Sequence, residues 1–312
     1  MDGLSRNLKE RAFFHSSLSF LYRRREFLAN RFLQRLTLDV EEGAVTRIGD
    51  QAFLFVRTLE WDTNYFRCPT YRIEFADWTS HCDAPVNALA HTLTSFLSEL
   101  KERHRRYYVF AEVPSEDLAM IQGLGAAGFR LIETRLGYFR DDLQDFTWPQ
   151  RFAVREATEA DISNLREVAS NARNRYDRFH ADGFFSVQIA DEFLAVFAEN
   201  SVKGFADVVL VPNDGETKPD AFFTGRFIPW EAGHDSGAVG QIVLVAVGET
   251  RRGWHLKLMS EMALWFKGRG VRVLYMVTQA TNRPVIRNCE KLSFRLGRVT
   301  HILASSRSDC AN

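Results

Sequence analysis

The sequence predicts an α/β chain of two related halves, each a sheet flanked by helices. Three observations carry this. From residue 44 onward, segments with strand-like alternation trade places with segments of helical spacing. The stretch "GQIVLVAVGETRRGWHLKLMSEMALWFKGRG" (240–270) reads as an apolar strand, an arginine-led turn and an amphipathic helix. The halves also end alike. "MIQGLGAAGFRLIETRLGYF" (120–139) and "VIRNCEKLSFRLGRVTHILA" (285–304) both run from a helix through a small residue and Phe-Arg-Leu into a strand, as a divergent internal repeat would.

Residues 1–36 carry eight Lys/Arg against three Asp/Glu, with Phe14, Leu18, Leu21, Phe27, Leu28 and Phe32 at helical spacing. They predict one or two helices with an arginine-rich outer face. That face is either plainly solvated or a surface for a membrane or partner, and it leaves a homodimer open. Strands follow at 52–61 and 70–78, a helix at 86–104, a strand at 106–113, a helix at 115–128 and a strand at 129–140. The polar connection "DLQDFTWPQR" (142–151) contains Pro149 and marks a boundary. These divisions predict a helical segment at 1–43, an α/β domain at 44–147 and a second domain at 148–312.

The second domain opens with a strand at 152–158 and a helix at 160–172. An irregular aromatic stretch, "RNRYDRFHADGFFS" (173–186), leads to a helix at 187–200 and a strand at 205–212. The turn-rich "NDGETKPD" (213–220) precedes strands at 221–228 and 237–247. A helix at 255–270, a strand at 271–279, a helix at 282–292 and a strand at 294–305 complete the chain.

Composition narrows the function classes. Forty basic residues against forty acidic ones leave zero net charge, which argues against general nucleic-acid coating. Cys68, Cys82, Cys289 and Cys310 are scattered without CxxC spacing, which matches neither a zinc site nor a disulfide framework. No metal is expected. No apolar run reaches the ~18 residues of a transmembrane helix, and no secretory leader is recognisable, so a cytoplasmic location is expected. P-loop, HExxH and Ser-His-Asp patterns are missing.

The element order of residues 152–306 resembles the GNAT acetyltransferase superfamily, and "TQATNRPVIRNCEKLSFRL" (278–296) looks like its closing signature. Two further segments, "LEWDTNYFRCPTYRIEF" (59–75) and "RNRYDRFHADGFFS", are similar to the TDP-fucosamine acetyltransferase group. The resemblance implies a GNAT fold, a mixed central sheet flanked by helices, preceded by a partial GNAT-like α/β domain. It also implies acetyl-CoA or another acyl-CoA as co-substrate. The acceptor it implies is a small-molecule amine, in that group a nucleotide-linked amino sugar.

On this resemblance, Val245 and Val247 offer strand backbone to the pantetheine arm, and Arg252, Gly253, Trp254, His255, Leu256 and Lys257 form the phosphate cradle. The family pattern Q/R-x-x-G-x-G/A wants small residues where this chain has His255 and Lys257. Either the free N–H groups still grip a diphosphate, with Arg251, Arg252 and Lys257 adding charge, or the larger side chains obstruct it. Asn282 falls at the cofactor-contacting asparagine. Cys289 takes the position of the family's tyrosine acid, as a proton donor, a packing residue or an acyl-cysteine nucleophile. His234, beside Glu231 and Asp235, is the candidate acceptor-side group. Arg178, His180 and Asp182 are candidates for binding the acceptor; their alternative is a loop scaffold with Asp182 capping the next helix.

Three functions follow. The first is an acyl-CoA-dependent N-acyltransferase working by direct attack on an amino sugar. The second is a catalytically degenerate GNAT-like binding or regulatory protein. The third is an acyltransferase for a natural-product amine.

Overall fold

The structure, a computed structural model, describes residues 7–215, 218–229 and 239–308. In chain order the elements are α1 (Leu8–His15), α2 (Arg25–Glu41), β1 (Thr46–Ile48), β2 (Ala52–Thr58), α3 (Glu60–Phe66), β3 (Thr70–Trp78), α4 (Pro85–Arg103), β4 (Tyr107–Pro114), α5 (Leu118–Ala126) and β5 (Arg130–Arg140). Then come β6 (Val154–Glu156), α6 (Ile162–Asn171), α7 (Arg178–Ala181), α8 (Val187–Asn200), β7 (Val208–Pro212), β8 (Ala221–Ile228), β9 (Val239–Val247), α9 (Trp254–Lys267), β10 (Val273–Gln279), α10 (Arg283–Lys291) and β11 (Arg295–Arg307).

The chain packs as two units. Unit 1 holds residues up to Arg135 together with those from Arg298 on, and unit 2 holds Leu136–Gly297. The division falls inside β5 and β11. In unit 1 the strand order is β1-β2-β3-β4-β11-β5, with β3 and β4 parallel. In unit 2 it is β5-β10-β9-β8-β7-β6, with β9 and β10 parallel and the ladders from β9 to β6 antiparallel. Both are mixed sheets flanked by helices.

The sequence expectation gives no helix where the structure has α3. The strand expected over 52–61 ends at Thr58, and Glu60 opens α3. Leu59 turns the chain: its N–H donates to the Thr70 carbonyl and its own carbonyl accepts from Thr63. Glu60 and Asp62 then lie in the first helical turn, where negative charge meets the positive end of the dipole.

In unit 2 the helices cover opposite faces of the sheet. Leu258, Met259, Met262 and Phe266 of α9 and Val285, Cys289 and Leu292 around α10 share one apolar cluster with Phe223, Ile242 and Leu274. On the other face, Leu165 and Ala169 of α6 and Ala198 of α8 pack on Val209, Val211, Phe222 and Ala246. Phe266 lies close to the sheet because Gly225 and Gly240 stand beneath it. A Cβ at Gly240 would come within 2.8 Å of its ring.

α5 and α10 stop in the same way. Phe129 N–H donates to the Leu124 carbonyl and Phe294 N–H to that of Cys289, five residues back in each case. Gly128 (φ +85°) and Ser293 (φ +57°) take the left-handed conformation that this stop requires. The small residue of the sequence repeat is therefore the helix terminator in both halves.

Candidate functional site

β9 carries an extra residue relative to β8. Phe223 pairs with Val245 but Gly225 pairs with Ile242, so two steps on β8 match three on β9. Thr224 fills the resulting bulge, its Oγ1 donating to the Leu244 carbonyl (3.2 Å) and accepting from the Leu244 N–H (2.8 Å). The parallel ladder between β9 and β10 stops at the same point, with Ile242 and Met276 as its last pair. Beyond it lie Val243–Val247 on one strand and Val277–Gln279 on the other. At about 3.3 Å per residue, the β9 side offers roughly 15 Å of backbone past the last pair. Val245 and Val247 both lie in this stretch, their side chains packed toward the α9 face.

α9 begins where this opening ends. Gly253 precedes it at φ +90°, and no side chain among the described residues caps its first turn. The opening N–H groups of a helix have no intrahelical acceptor, so those of Trp254, His255 and Leu256 remain as donors at the positive end of the dipole. The cationic side chains nearby are arranged differently from the sequence expectation. Arg251 is held by Asp220 (2.6 Å) and by Asp214, which offsets its charge. The Lys257 ammonium lies over the Trp254 ring at 4.7 Å and the Phe152 ring at 5.3 Å. Arg252 is exposed at the turn.

His255 reaches inward. Its ring meets Phe223 edge-on at 4.9 Å, and its Nδ1 lies 3.0 Å from Asn288 Nδ2 of α10. An amide nitrogen only donates, so Nδ1 accepts and the neutral ring carries its proton on Nε2. That Nε2 is buried and has no partner among the described residues, although the residue as a whole keeps some solvent contact. Burial holds the imidazole down at about 4, hence neutral near pH 7. The site thus contains a buried N–H donor.

On α10, Asn282 caps the helix, its Oδ1 accepting from the Val285 N–H at 3.5 Å. Cys289 is fully buried, and its thiol points at the Met276 sulfur 3.6 Å away. Burial, reinforced by Glu290, pushes this thiol up to about 12. Such a thiol stays protonated at neutral pH.

The aromatic stretch 173–186 holds together as a unit. His180 contacts Asp177 Oδ2 through Nδ1 (2.8 Å) and Asp191 Oδ1 through Nε2 (3.0 Å). Asp182 is buried and accepts from the Phe184 N–H, while Ser186 caps α8 by accepting from Ile189. Arg178 stacks on Phe179 at 4.3 Å. The link from this stretch to the opening is Asn174, which donates to Gln279 Oε1 at the end of β10 (2.8 Å). His234, Glu231 and Asp235 lie outside the described residues.

Asn288, Thr224 and the Asn174–Gln279 pair were missed in the sequence. Asn288 sits one position before Cys289 in the stretch aligned for its asparagine and cysteine, and nothing in spacing separates it from a surface residue. Among the described residues, no helix is long and apolar enough to cross a membrane, and no group of three or more His, Cys, Asp or Glu is placed to hold a metal.

No family model and no curated protein matches the sequence. Solved structures do match in fold. A GCN5-related N-acetyltransferase from Sphaerobacter thermophilus superposes with a TM-score of 0.54 at 14% identity, covering 83% of this chain and 81% of that one. A GCN5-related N-acetyltransferase from Kribbella flavida gives 0.51 at 11% identity, with 88% and 94% covered. A Drosophila protein gives 0.50 at 12% identity over 98% of each chain. Each coverage exceeds what either unit holds, so the likeness extends over both. At these identities it establishes the fold, which is the GNAT fold.

Proposed function

We propose that this GNAT-fold chain is an acyl-CoA-dependent N-acyltransferase, with its donor site in the opening between β9 and β10. The observation that carries the reading is the ladder's end at Ile242 and Met276 beside the uncapped start of α9. Strand backbone beyond the last pair suits an extended amide-bearing arm, held as an added strand would be. The N–H groups of Trp254, His255 and Leu256 suit a diphosphate, and right-handed helical backbone presents them without needing glycine. The unpartnered His255 Nε2–H adds one donor, held in its tautomer by Asn288. Acyl-CoA, when bound, supplies an acyl thioester.

In this reading the chain's own groups bind and orient. The backbone past Ile242 fixes the arm, and the start of α9 fixes the anion. Asn174 and Gln279 brace the acceptor side, with Arg178, His180 and Asp182 in the same segment. His234 remains the proposed acceptor-side base. No proton is assigned to Cys289, whose surroundings are those of a core residue. The acceptor is a small-molecule amine, and the nucleotide-linked amino sugar rests on the two sequence segments alone.

A second reading has one observation in its favour. The His255–Asn288 hydrogen bond joins α9 to α10 where small residues would leave a gap. A chain with that gap closed is a binding or regulatory protein without turnover. Calorimetric titration with CoA and acetyl-CoA, followed by thiol release against a panel of amines, separates the two. Saturable binding with turnover supports the transferase. Binding without turnover supports the second reading, and no heat at millimolar ligand removes the transferase and leaves the second reading standing.

A further inference from the structure

Unit 1 repeats the architecture of the donor cleft. β3 carries an extra residue relative to β2, because Phe55 pairs with Phe75 and Val56 with Ile73. The parallel ladder from β3 to β4 then stops after Ile73 and Ala111. Glu74–Trp78 and Glu112–Pro114 lie beyond it, as Val243–Val247 and Val277–Gln279 do in unit 2. α4 follows β3 as α9 follows β9, and α5 follows β4 as α10 follows β10. Even the cap is shared: Asp117 Oδ1 accepts from Met120 at the start of α5, as Asn282 accepts from Val285 at the start of α10.

What differs is the content of the opening. Arg11 of α1 lies buried in it. Its Nη2 donates to the Ala76 carbonyl (2.5 Å), past the last β3–β4 pair, and its Nη1 to Asp77 Oδ1 (3.0 Å). Nε and Nη2 grip the two oxygens of Asp117 at 3.1 and 2.8 Å. His15, one turn on, reaches Asp117 Oδ2 with Nε2 (2.9 Å). The Arg11 guanidinium also lies over the rings of Trp78 at 4.1 Å and Phe75 at 4.9 Å. Hydrogen bonds, charge and aromatic faces are thus all supplied from within the chain. The start of α4 is unsuited to a diphosphate as well: Pro85 at its first position has no N–H, and Asp83 stands just before it.

We infer that unit 1 is a second donor-type cleft whose ligand position is permanently filled by α1 through Arg11, leaving one acyl-donor site per chain. The closure of unit 1 rests on unit 1 alone, and the count of one rests on the acyl-CoA reading of unit 2. α1 is in this sense an intramolecular ligand, and its arginine does for β3 what a bound arm does for β9.

Hydrogen exchange of the full-length chain, followed by mass spectrometry with and without saturating CoA, tests this. In the wild type, CoA should slow exchange in peptides covering 243–260 and leave 70–90 and 107–120 unchanged. The Arg11→Met chain should exchange at least tenfold faster at residues 74–78 and 117–120, because local opening there no longer breaks the guanidinium contacts. CoA-dependent protection of 70–90 or 107–120 in the wild type would overturn the inference, as would unchanged exchange in a folded Arg11→Met chain. Protection in neither unit would instead remove the acyl-CoA reading and leave the Arg11→Met comparison to decide this one. Should Arg11→Met not fold, His15→Phe, which removes a single donor to Asp117, should give the same change in smaller measure.

Discussion

His255 makes the chain's stability depend on pH in a calculable way. Its imidazole is neutral and buried in the folded protein, held at about 4, whereas an unfolded histidine titrates near 6.5. Between these values the unfolded chain binds a proton that the folded chain refuses, so stability falls as pH falls. The contribution is fully present above about pH 6.5 and is lost on the way down to about pH 4. A gap of about 2.5 units is worth roughly 3 kcal/mol in all, of which about 2.5 is gone by pH 4.5. Other groups titrate too. Glu112, Asp117 and Asp161 are each held near 2, so their losses fall mostly below this window. His15 is lowered in the same direction by burial and overlaps it.

The comparison that isolates His255 is therefore a difference between chains. Urea unfolding of the wild type and of His255→Ala at pH 7 and pH 4.5 gives two differences in stability. The wild type's standing relative to the variant should worsen by about 2.5 kcal/mol at the lower pH. His15 and the carboxylates are common to both chains and cancel. A difference that stays constant within about 0.5 kcal/mol would refute the neutral, buried imidazole, and with it the Nε2–H donor assigned to the cleft.

Three more outcomes follow from the packing. Gly240→Ala places a Cβ 2.8 Å from Phe266 Cδ1 and 3.1 Å from Leu274 Cδ1, and should cost about 1–3 kcal/mol in urea unfolding; adding Phe266→Leu should recover part of it. Cys289→Ser buries a hydroxyl where a thiol faced Met276, and should lower stability by about 1–3 kcal/mol while leaving any acyl-transfer pH profile unchanged between pH 6 and 9. A profile that loses its basic limb in this variant would restore the acid role. Ser293→Gly should raise the unfolding free energy by about 0.5–1 kcal/mol, because Ser293 stops α10 at φ +57° where glycine carries no strain.

The fold was legible where burial imposes a period. β3 and β8 coincide with the segments 70–78 and 221–228 read from the sequence, because alternation there reports a buried face directly. The helix stops were legible too, since both need one residue in the left-handed region, and in each half a small residue stands there before a phenylalanine. The start of α3 was not. Leu59, Glu60 and Trp61 continue an apolar–polar alternation, and the turn is set by the Thr70 carbonyl eleven residues away.

The candidate site was legible only in its backbone. A strand, a turn and a helix start are local, so the strand–turn–helix of 240–270, on which the proposed cradle lies, could be read from sequence. The direction of each side chain there could not, because each is decided by a distant partner. Lys257 turns to Phe152, Arg251 to Asp214 and Asp220, and His255 to Asn288. Of the residues counted as added charge in the cradle, Lys257 packs on aromatic rings and Arg251 pairs with the loop before β8, while Arg252 is exposed. The same logic explains α1. A lone arginine in an amphipathic helix reads as solvated face, yet Arg11 is buried because Asp77 and Asp117, from two other elements, converge on it with the Ala76 carbonyl. Burying a guanidinium without those partners would be far costlier than leaving it in water. The convergence of two carboxylates and a strand carbonyl past a broken ladder is therefore what makes α1 part of unit 1.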